Sequence, residues 1–274
     1  MKIACIQMDS QESTETNLKE MKQWIDQASE ADYIFFPEAV DYCGNEFDKH
    51  AYQIPGLVSN QLASFAKEAN AYLYAGSIAE KTDGMPKNTS LFFNPEGKII
   101  GRYSKTHLFD IDLDQQSYRE SSWMQAGDSY SVVETKDTIF GMSICYDLRF
   151  PIMYQKMAQA GAKILVVVAN FTKPTGQAHW HALLRARAIE NSAYVIATNQ
   201  VGKKESLHME AYGHTMIIDP WGEIIAEADG NYAQIVWADI DLEKVEKVRK
   251  KIPCLKNERE DLPVHEFMLQ LKTR

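Results

Sequence analysis

The chain has 274 residues, 45% of them apolar, which is enough to bury the core of one large layered domain. Its 38 acidic residues outnumber its 29 lysines and arginines and give a formal net charge of -9. We therefore expect the chain to repel phosphate backbones and to have no nucleic-acid partner.

The first half of the chain alternates strand and helix patterns. Residues 2–8 predict a strand, and apolar residues recur at helical spacing over 18–28, with Thr14 or Thr16 as candidate caps. A strand, a helix and another strand are predicted at 33–36, 59–70 and 72–79. Segments 91–93 and 99–103 then flank an Asn-Pro-Glu-Gly turn and predict a hairpin.

The second half repeats this alternation. Residues 139–144 predict a strand, Pro151 opens a helix, and a strand, a helix and a strand follow at 163–169, 177–191 and 194–198. Segments 215–218 and 223–226 flank a second turn, 233–239 adds a strand, and the basic run 247–251 is typical of a solvated helix face. Such repeated units predict an α/β domain in which helices cover the sheets.

The cysteines and the apolar runs indicate a reduced, cytoplasmic protein with no membrane partner. The start of the chain lacks the long hydrophobic segment of a secretory signal, and the longest apolar run, 164–169, is too short to cross a bilayer. No paired spacing suggests a zinc knuckle or a redox pair, so free thiols are expected at Cys5, Cys43, Cys145 and Cys254.

Two charged residues directly follow predicted strands. Glu38 comes after the apolar run 33–37, and Lys105 comes after the second strand of the first hairpin. Open α/β folds place ligand sites at the carboxyl ends of their strands. Each residue alone also fits an ordinary role, Glu38 as a carboxylate that caps a loop and Lys105 as an exposed lysine.

Cys145 stands at the most informative position. An apolar strand ends at this cysteine and a helix begins at Pro151, so the sulfur is expected in a tight strand-to-helix turn. Such a turn resembles the nucleophile elbow of other hydrolases, although Gly-x-Ser-x-Gly is absent, and it offers backbone N–H groups to an oxyanion. Most free cysteines are inert packing groups, and the other three keep that interpretation.

Together these three residues supply the parts of a hydrolytic reaction. A thiol needs a base, a tetrahedral oxyanion needs positive charge, and an amine leaving group needs an acid. Glu38, Lys105 and Cys145 meet those needs. Because they are distant in sequence, their convergence in one cleft is a hypothesis.

Five segments in a fixed order extend this pattern: Phe36-Pro37-Glu38, Lys105-Thr106-His107-Leu108-Phe109, Cys145-Tyr146-Asp147-Leu148-Arg149-Phe150-Pro151, Ala178-His179-Trp180 with Arg185-Ala186-Arg187-Ala188-Ile189-Glu190, and Gly213-His214 with Asp219-Pro220-Trp221-Gly222. With them the chain resembles the nitrilase superfamily of carbon-nitrogen hydrolases from Lys2 to about Asp261. Any one segment alone would be a weak signal.

The resemblance implies a four-layer α-β-β-α sandwich in a single domain, 1–274, with 250–274 as a C-terminal extension that contributes to oligomer contacts. It implies a Glu-Lys-Cys triad at Glu38, Lys105 and Cys145, with Glu120 as the second glutamate beside the lysine. Glu120 lies in a loop-like segment, 110–128, where an exposed glutamate is the alternative. The family implies no cofactor and no metal, and a homodimer or larger assembly through the helices at 151–160 and 177–191.

Within the superfamily, the segments that begin at 105, 145 and 185 are most similar to the omega-amidase and deaminated-glutathione amidase branch. Members of that branch remove the terminal amide nitrogen from short dicarboxylate monoamides such as 2-oxoglutaramate. Two departures flank the site: Ala39 stands where Leu is frequent, and Ile152 stands where Glu is common. Both are expected to alter substrate fit without removing the triad.

The implied mechanism gives each group one task. Glu38 accepts the thiol proton, Lys105 favours the thiolate, and Cys145 attacks the amide carbon. Lys105 and the backbone N–H of Tyr146 stabilise the oxyanion, and water then hydrolyses the thioester. Arg149 either binds a substrate carboxylate or holds the loop, and we favour the second role.

Substrate is expected to contact residues that lie close to the triad. Tyr42 closely follows Glu38, and three residues follow the strand at 163–169, so all four are expected at the same mouth: Tyr42, Asn170, Phe171 and Thr172. Ordinary loop packing is the alternative for each of them.

Three other classes of protein remain open. A metal hydrolase is disfavoured because His179 and His181, two apart on a helix, point in different directions. A Cys-His thiol enzyme would use His107 as its base, and a catalytically silent small-molecule-binding protein would share the fold without turnover. Within the enzyme interpretation, nitrile hydrolysis, N-carbamoyl amide hydrolysis and acyl transfer to an amine use the same thioester chemistry.

Overall fold

The computed structural model describes residues 1–113, 116–259 and 261–263. The strands are, in chain order, β1 (Lys2–Gln7), β2 (Tyr33–Phe35), β3 (Tyr72–Glu80), β4 (Lys87–Phe93), β5 (Ile99–Ser104), β6 (Asp110–Leu113), β7 (Gln116–Arg119), β8 (Ser131–Glu134), β9 (Ile139–Ile144), β10 (Ile164–Ala169), β11 (Tyr194–Asn199), β12 (Val201–Lys204), β13 (Met209–Tyr212), β14 (Met216–Ile218), β15 (Ile224–Glu227) and β16 (Gln234–Asp239). The α-helices are α1 (Thr14–Gln27), α2 (Leu57–Ala69), α3 (Pro151–Gln159), α4 (Lys173–Thr175), α5 (His181–Asn191), α6 (Leu242–Lys251) and α7 (Cys254–Asn257).

Two six-stranded sheets carry the fold. Their strand orders are β16-β1-β2-β3-β4-β5 and β15-β14-β11-β10-β9-β8. In each sheet three central strands run parallel, β1 to β3 in the first and β9 to β11 in the second, and antiparallel strands flank them. The parallel strands are buried on both faces, which explains their continuous apolar runs.

Helices cover the outer face of each sheet. Met21 and Ile25 of α1 and Leu62 and Phe65 of α2 pack in one core cluster with residues of the first sheet. Residues of α3 and α5, among them Tyr154, share a second cluster with the second sheet and with the facing sheet. The layers are therefore helix, sheet, sheet and helix, and the predicted four-layer α-β-β-α sandwich is confirmed.

Aromatic side chains join the two sheets. The ring of Phe140 on β9 lies 6.1 Å from Phe35 of β2 and 5.3 Å, edge to face, from Phe92 of β4, measured between ring centroids. All three rings are fully buried. Aromatic pairs in this geometry are worth about 0.5–1.5 kcal/mol each beyond the area they bury.

Most predicted elements form close to their expected bounds, two local predictions were wrong, and one predicted helix has an irregular start. Ser13, not Thr14 or Thr16, caps α1 by accepting the backbone N–H of Thr16. The predicted helix at 177–191 begins with a π-helical turn, Gly176–Trp180, before α5. The segment expected to be loop-like after position 110 contains the hairpin β6–β7.

The structure describes only part of the C-terminal extension. Within it α7 packs near α3, and Gln159 of α3 donates to Glu258. Residues 260 and 264–274 lie outside the described residues, so the contribution of this extension to oligomer contacts stays a prediction. Among the described residues, no helix combines the length and apolarity needed to cross a bilayer.

Candidate active site

The three candidate catalytic residues come from both sheets. Glu38 follows β2 and Lys105 follows β5 in the first sheet, whereas Cys145 follows β9 in the second. All three side chains line one cavity of about 160 Å³, together with Glu120. The convergence expected from the sequence therefore occurs where the sheets meet.

Cys145 occupies the sharp turn that the sequence predicted. Its backbone φ is 48°, in the left-handed region, and a single 3-10 turn, Cys145–Arg149, connects β9 to α3. A residue other than glycine, asparagine or aspartate is uncommon there, and such strain often accompanies functional positions. The side chain is 7% exposed, so the turn presents the sulfur to the cavity and little of it to solvent.

Asp147 holds this turn in place. Its carboxylate accepts the backbone N–H of Ile144 at 2.9 Å and the hydroxyl of Tyr103 at 2.7 Å. Nδ1 of His107 lies 2.7 Å from the same carboxylate, and the imidazole stacks on Phe150 with 3.7 Å between ring centroids. His107 is thereby engaged in fixing the cysteine loop, and its side chain is not part of the cavity wall.

The Lys105 ammonium lies between two carboxylates. Its Nζ donates to Glu38 Oε1 at 3.1 Å and to Glu120 Oε2 at 2.9 Å, and all three side chains are at least 92% buried. Glu120 also accepts the backbone N–H of Phe109 at 2.6 Å. Glu120 is thus a buried partner of the lysine and not the exposed glutamate that was the alternative.

Two asparagines orient Glu38. The side-chain amide of Asn88 donates to Oε1 at 2.9 Å, and the backbone N–H of Asn170 donates to Oε2 at 2.8 Å. The Cys145 thiol lines the same cavity as this carboxylate and lies close enough for Glu38 to raise its pKa. Glu38 is therefore fixed beside the sulfur, as a base for its proton must be.

A glycine in β3 lets the loop of Glu38 approach the sheet. Gly76 has φ +65°, and a Cβ at this position would lie 1.9 Å from the carbonyl oxygen of Pro37. The β3–β4 register shifts between Tyr74 and Ser77, and Ser77 then accepts the backbone N–H of Ala39 through its hydroxyl at 3.1 Å. This bulge positions Glu38 at the cavity.

The electrostatics favour a neutral thiol next to a charged lysine. Burial raises the pKa of Cys145, the nearby Glu38 carboxylate raises it further, and Lys105 only partly opposes them. Burial lowers the pKa of Lys105, but Glu120 and Glu38 outweigh it and keep the pKa well above its ordinary value. Lys105 lowers the pKa of Cys145 in the direction expected from the sequence, but burial and Glu38 outweigh it, so the thiol needs a base to remove its proton.

The rest of the cavity wall is mostly apolar. Asn170, Phe171 and Thr172 lie on it, as does Tyr146, whose backbone N–H stays a predicted oxyanion donor. Sequence reasoning missed the other lining side chains: Cys43, Phe47, Asn88, Phe109, Tyr118, Arg119, Trp123, Thr175, Leu207 and Met209. Several come from the hairpins β6–β7 and β12–β13, whose four-residue strands are too short to give a clear signal in the sequence.

Three residues that the sequence considered in or beside the site do not line the cavity. Tyr42 is buried against His50, with 3.7 Å between ring centroids, and does not line the cavity. Ile152 is 61% exposed on α3, so it cannot alter substrate fit directly. Arg149 packs over the rings of Tyr146 and Phe171, at 5.8 and 5.3 Å from their centroids, in agreement with a structural role.

Comparison with known proteins identifies the family. Residues 2–250 match the family model described as carbon-nitrogen hydrolase. The chain belongs to the carbon-nitrogen hydrolase family. The resemblance seen in its sequence motifs is thereby confirmed, and family members are hydrolases of carbon-nitrogen bonds.

Individual members of this family resemble the chain over nearly its whole length. Human omega-amidase NIT2 is 36% identical over 266 residues, which cover 95% of this chain and 96% of that protein. The structure of Saccharomyces cerevisiae Nit3, a member of branch 10 of the nitrilase superfamily, matches with a TM-score of 0.86 at 29% identity and covers 96% of this chain and 97% of its own. The C. elegans NitFhit protein matches with a TM-score of 0.86 at 33% identity, over 96% of this chain and 66% of its own.

Proposed function

We propose that this carbon-nitrogen hydrolase is an omega-amidase that releases ammonia from the terminal amide of a small carboxylate monoamide through a thioester on Cys145. One observation carries the proposal: a buried ammonium held between two carboxylates stands beside a buried thiol on one small cavity. The similarity to human omega-amidase NIT2 supports the choice of substrate class.

The acylation half begins with a proton transfer. Glu38 accepts the proton of Cys145, and the sulfur attacks the amide carbon. Lys105 and the backbone N–H of Tyr146 hold the negative oxygen of the tetrahedral intermediate. Protonated Glu38 then gives its proton to the departing nitrogen, the carbon-nitrogen bond breaks, and ammonia leaves.

The deacylation half reuses the same base. Glu38 takes a proton from water, and the resulting hydroxide attacks the thioester carbon. The carbon-sulfur bond then breaks to give the acid, and Glu38 returns its proton to the sulfur to restore the free thiol. Glu120 keeps Lys105 positioned throughout, since it bonds the ammonium at 2.9 Å and is fixed by the Phe109 N–H. Glu120 thus acts through the lysine.

The cavity suits a short acyl group with one anionic end. A cavity of about 150 Å³ admits a ligand the size of benzene, and this one measures about 160 Å³. Of the described residues that line it, two are cations, Lys105 and Arg119. Lys105 bonds the two buried carboxylates of Glu38 and Glu120, whereas Arg119, on β7, pairs with the exposed carboxylate of Asp112 at 2.8 Å. We assign Arg119 to the substrate carboxylate, which takes the place of Asp112 on the guanidinium.

An ammonia-release panel tests this assignment. The purified chain is offered 2-oxoglutaramate, deaminated glutathione, an N-carbamoyl compound and a simple nitrile at matched concentrations. Deaminated glutathione releases an amine instead of ammonia, so its turnover is measured as the 2-oxoglutarate formed. We expect the highest kcat/KM with one of the two carboxylate-bearing amides. A preference for the N-carbamoyl compound or for the nitrile would contradict the omega-amidase proposal and leave the family membership intact.

Assembly and location are further proposals. Ile152 on α3 and Ile189 on α5 are 61% and 50% exposed on helices that contact each other, and we propose that this apolar face joins two chains in a homodimer. Light scattering should give twice the chain mass, and Ile152→Lys with Ile189→Lys should give the monomer; a wild-type monomer would refute the dimer. A cytoplasmic location stays a prediction.

A further inference from the structure

Two histidines and a glutamate form a second cluster of ligand-type side chains, none of which lines the catalytic cavity. His181 begins α5, His214 precedes β14, and Glu227 ends β15. Nε2 of His181 and Nδ1 of His214 lie 2.8 and 2.7 Å from the same carboxylate oxygen, Oε1 of Glu227. Two imidazole nitrogens from different elements therefore converge on one point.

The surrounding structure fixes His214 in this position. Its ring stacks on Tyr212, with 4.3 Å between centroids, and Gly230 passes so closely on another side that a Cβ there would lie 2.6 Å from Nε2. The backbone φ of His214 is 55°, and Gly213 before it is also left-handed at 69°. The side chain is thus oriented by packing and by a strained backbone, as functional side chains often are.

The donor set matches the preferences of a first-row transition metal. Imidazole nitrogen with carboxylate oxygen suits Zn²⁺ and its neighbours, and three protein ligands leave room for water. The candidate ligand atoms all lie within 4.8 Å of one another, whereas tetrahedral ligands with bonds of about 2.1 Å stand about 3.4 Å apart. Small side-chain rotations close that difference, since Glu227 is exposed and the side chain of His181 is 34% exposed.

We propose that His181, His214 and Glu227 form a binding site for a divalent transition-metal cation, with Zn²⁺ as the test ion. On binding, each imidazole carries its proton on the ring nitrogen that faces away, so that Nε2 of His181 and Nδ1 of His214 offer lone pairs. A divalent charge also neutralises Glu227 in a chain of formal charge -9. This departs from the sequence expectation of no metal, which considered His181 with His179 and not with His214.

The cluster is connected to the wall of the catalytic cavity. Tyr212, which stacks on His214, packs so closely on Gly176 that a Cβ at Gly176 would lie 2.3 Å from its ring. Gly176 directly follows Thr175, a cavity-lining residue, and begins the π-helical turn that leads to His181. A cation at the cluster would therefore brace one side of the substrate cavity.

The test measures Zn²⁺ binding in a chain that lacks the reactive thiol. In the Cys145→Ala background, isothermal titration with Zn²⁺ should show one ion per chain. His181→Ala and Glu227→Gln, each added to that background, should weaken binding at least about tenfold, because even second-shell losses cost that much. His179→Ala is the matched control: it lies two positions from His181 against Arg149 and should bind like the background.

Several outcomes would overturn the site. The first is that Zn²⁺ does not bind the Cys145→Ala protein, and the second is that His181→Ala and Glu227→Gln both leave the affinity unchanged. The third is a stoichiometry of one ion per two chains, which would mean that the ion bridges two molecules. The two ligand variants lie on different elements, and circular dichroism identifies any variant that fails to fold. Because the readout is binding to a catalytically inactive chain, its result is independent of the proposed omega-amidase activity.

Discussion

Replacing Lys105 with methionine tests the electrostatic arrangement of the active site most directly. Methionine is unbranched and only one atom shorter than lysine but has no charge, which leaves the carboxylates of Glu38 and Glu120 buried without their cation. Removing one partner of a buried ion pair costs about 3–5 kcal/mol of unfolding free energy. We expect a loss in that range and no measurable ammonia release.

The second charge removal provides the matched control. Glu120→Gln is nearly isosteric and keeps an acceptor for the Phe109 N–H, so in the Lys105→Met background it removes one uncompensated charge. The double variant should therefore be more stable than Lys105→Met alone. We expect its free energy of unfolding, measured in urea, to be higher by about 1 kcal/mol or more. If the loss of unfolding free energy in the double variant equals the sum of the losses in the two single variants, the coupling between Lys105 and Glu120 is contradicted.

The pH dependence of the same variant has a definite sign. Without Lys105, the buried carboxylates of Glu38 and Glu120 face each other with no cation between them, so uptake of a proton relieves their repulsion only in the folded chain. The folded state then binds more protons than the unfolded state, so the stability deficit of Lys105→Met grows as pH rises above the carboxyl range of the unfolded chain, about 4.3. Urea titrations at several pH values measure it, and a deficit of about 1 kcal/mol at every pH would refute the reasoning.

Three further outcomes are expected from other parts of the molecule. Arg119→Ala should raise KM for a carboxylate-bearing amide about tenfold or more and leave KM for a neutral amide of equal length unchanged; equal effects on both would remove Arg119 from recognition. Glu38→Gln should abolish ammonia release while His107→Ala, which loosens the cysteine loop, retains part of it; the opposite order would favour a Cys-His enzyme. Burial raises the pKa of Asp41 from 3.8 to about 8, although backbone N–H groups of Asp41 and Tyr42 oppose the shift. Between pH 3.8 and about 8 the folded chain therefore binds one proton more than the unfolded chain, so the free energy of unfolding falls as pH rises across this range. Asp41→Asn should make the free energy of unfolding, measured in urea, less dependent on pH, and an unchanged pH dependence would contradict this prediction.

The sequence was sufficient where burial imposes a strong pattern. The parallel strands β9, β10 and β11 are buried on both faces and consist mainly of apolar residues, so their bounds and the cysteine turn after β9 were predictable. Strand-end location also pointed to Glu38 and Lys105. Only the family resemblance pointed to Glu120. Its burial depends on its ion pair with Lys105, and the two side chains meet only in the folded chain.

The hairpins β6–β7 and β12–β13 escaped prediction for a physical reason. Each of their strands has only four residues and pairs mainly with the other strand of its hairpin, so any apolar alternation is too short to stand out in the sequence. Tyr42 illustrates the opposite error. Proximity in sequence to Glu38 suggested a place at the cavity, but the chain turns after Ala39, whose φ is 55°, and the tyrosine packs on His50 instead.

Cys145 and Glu38, its proposed base, come from opposite sheets, so turnover requires that the two sheets pack correctly against each other. Neither half of the chain holds a complete reaction centre, and the aromatic contacts around Phe140 keep the halves in register. An expanded state with both sheets formed but slipped past each other would retain its far-ultraviolet dichroism and yet release no ammonia. Engineering of this enzyme for heat resistance should accordingly begin between the sheets, where each gain in packing also protects the chemistry.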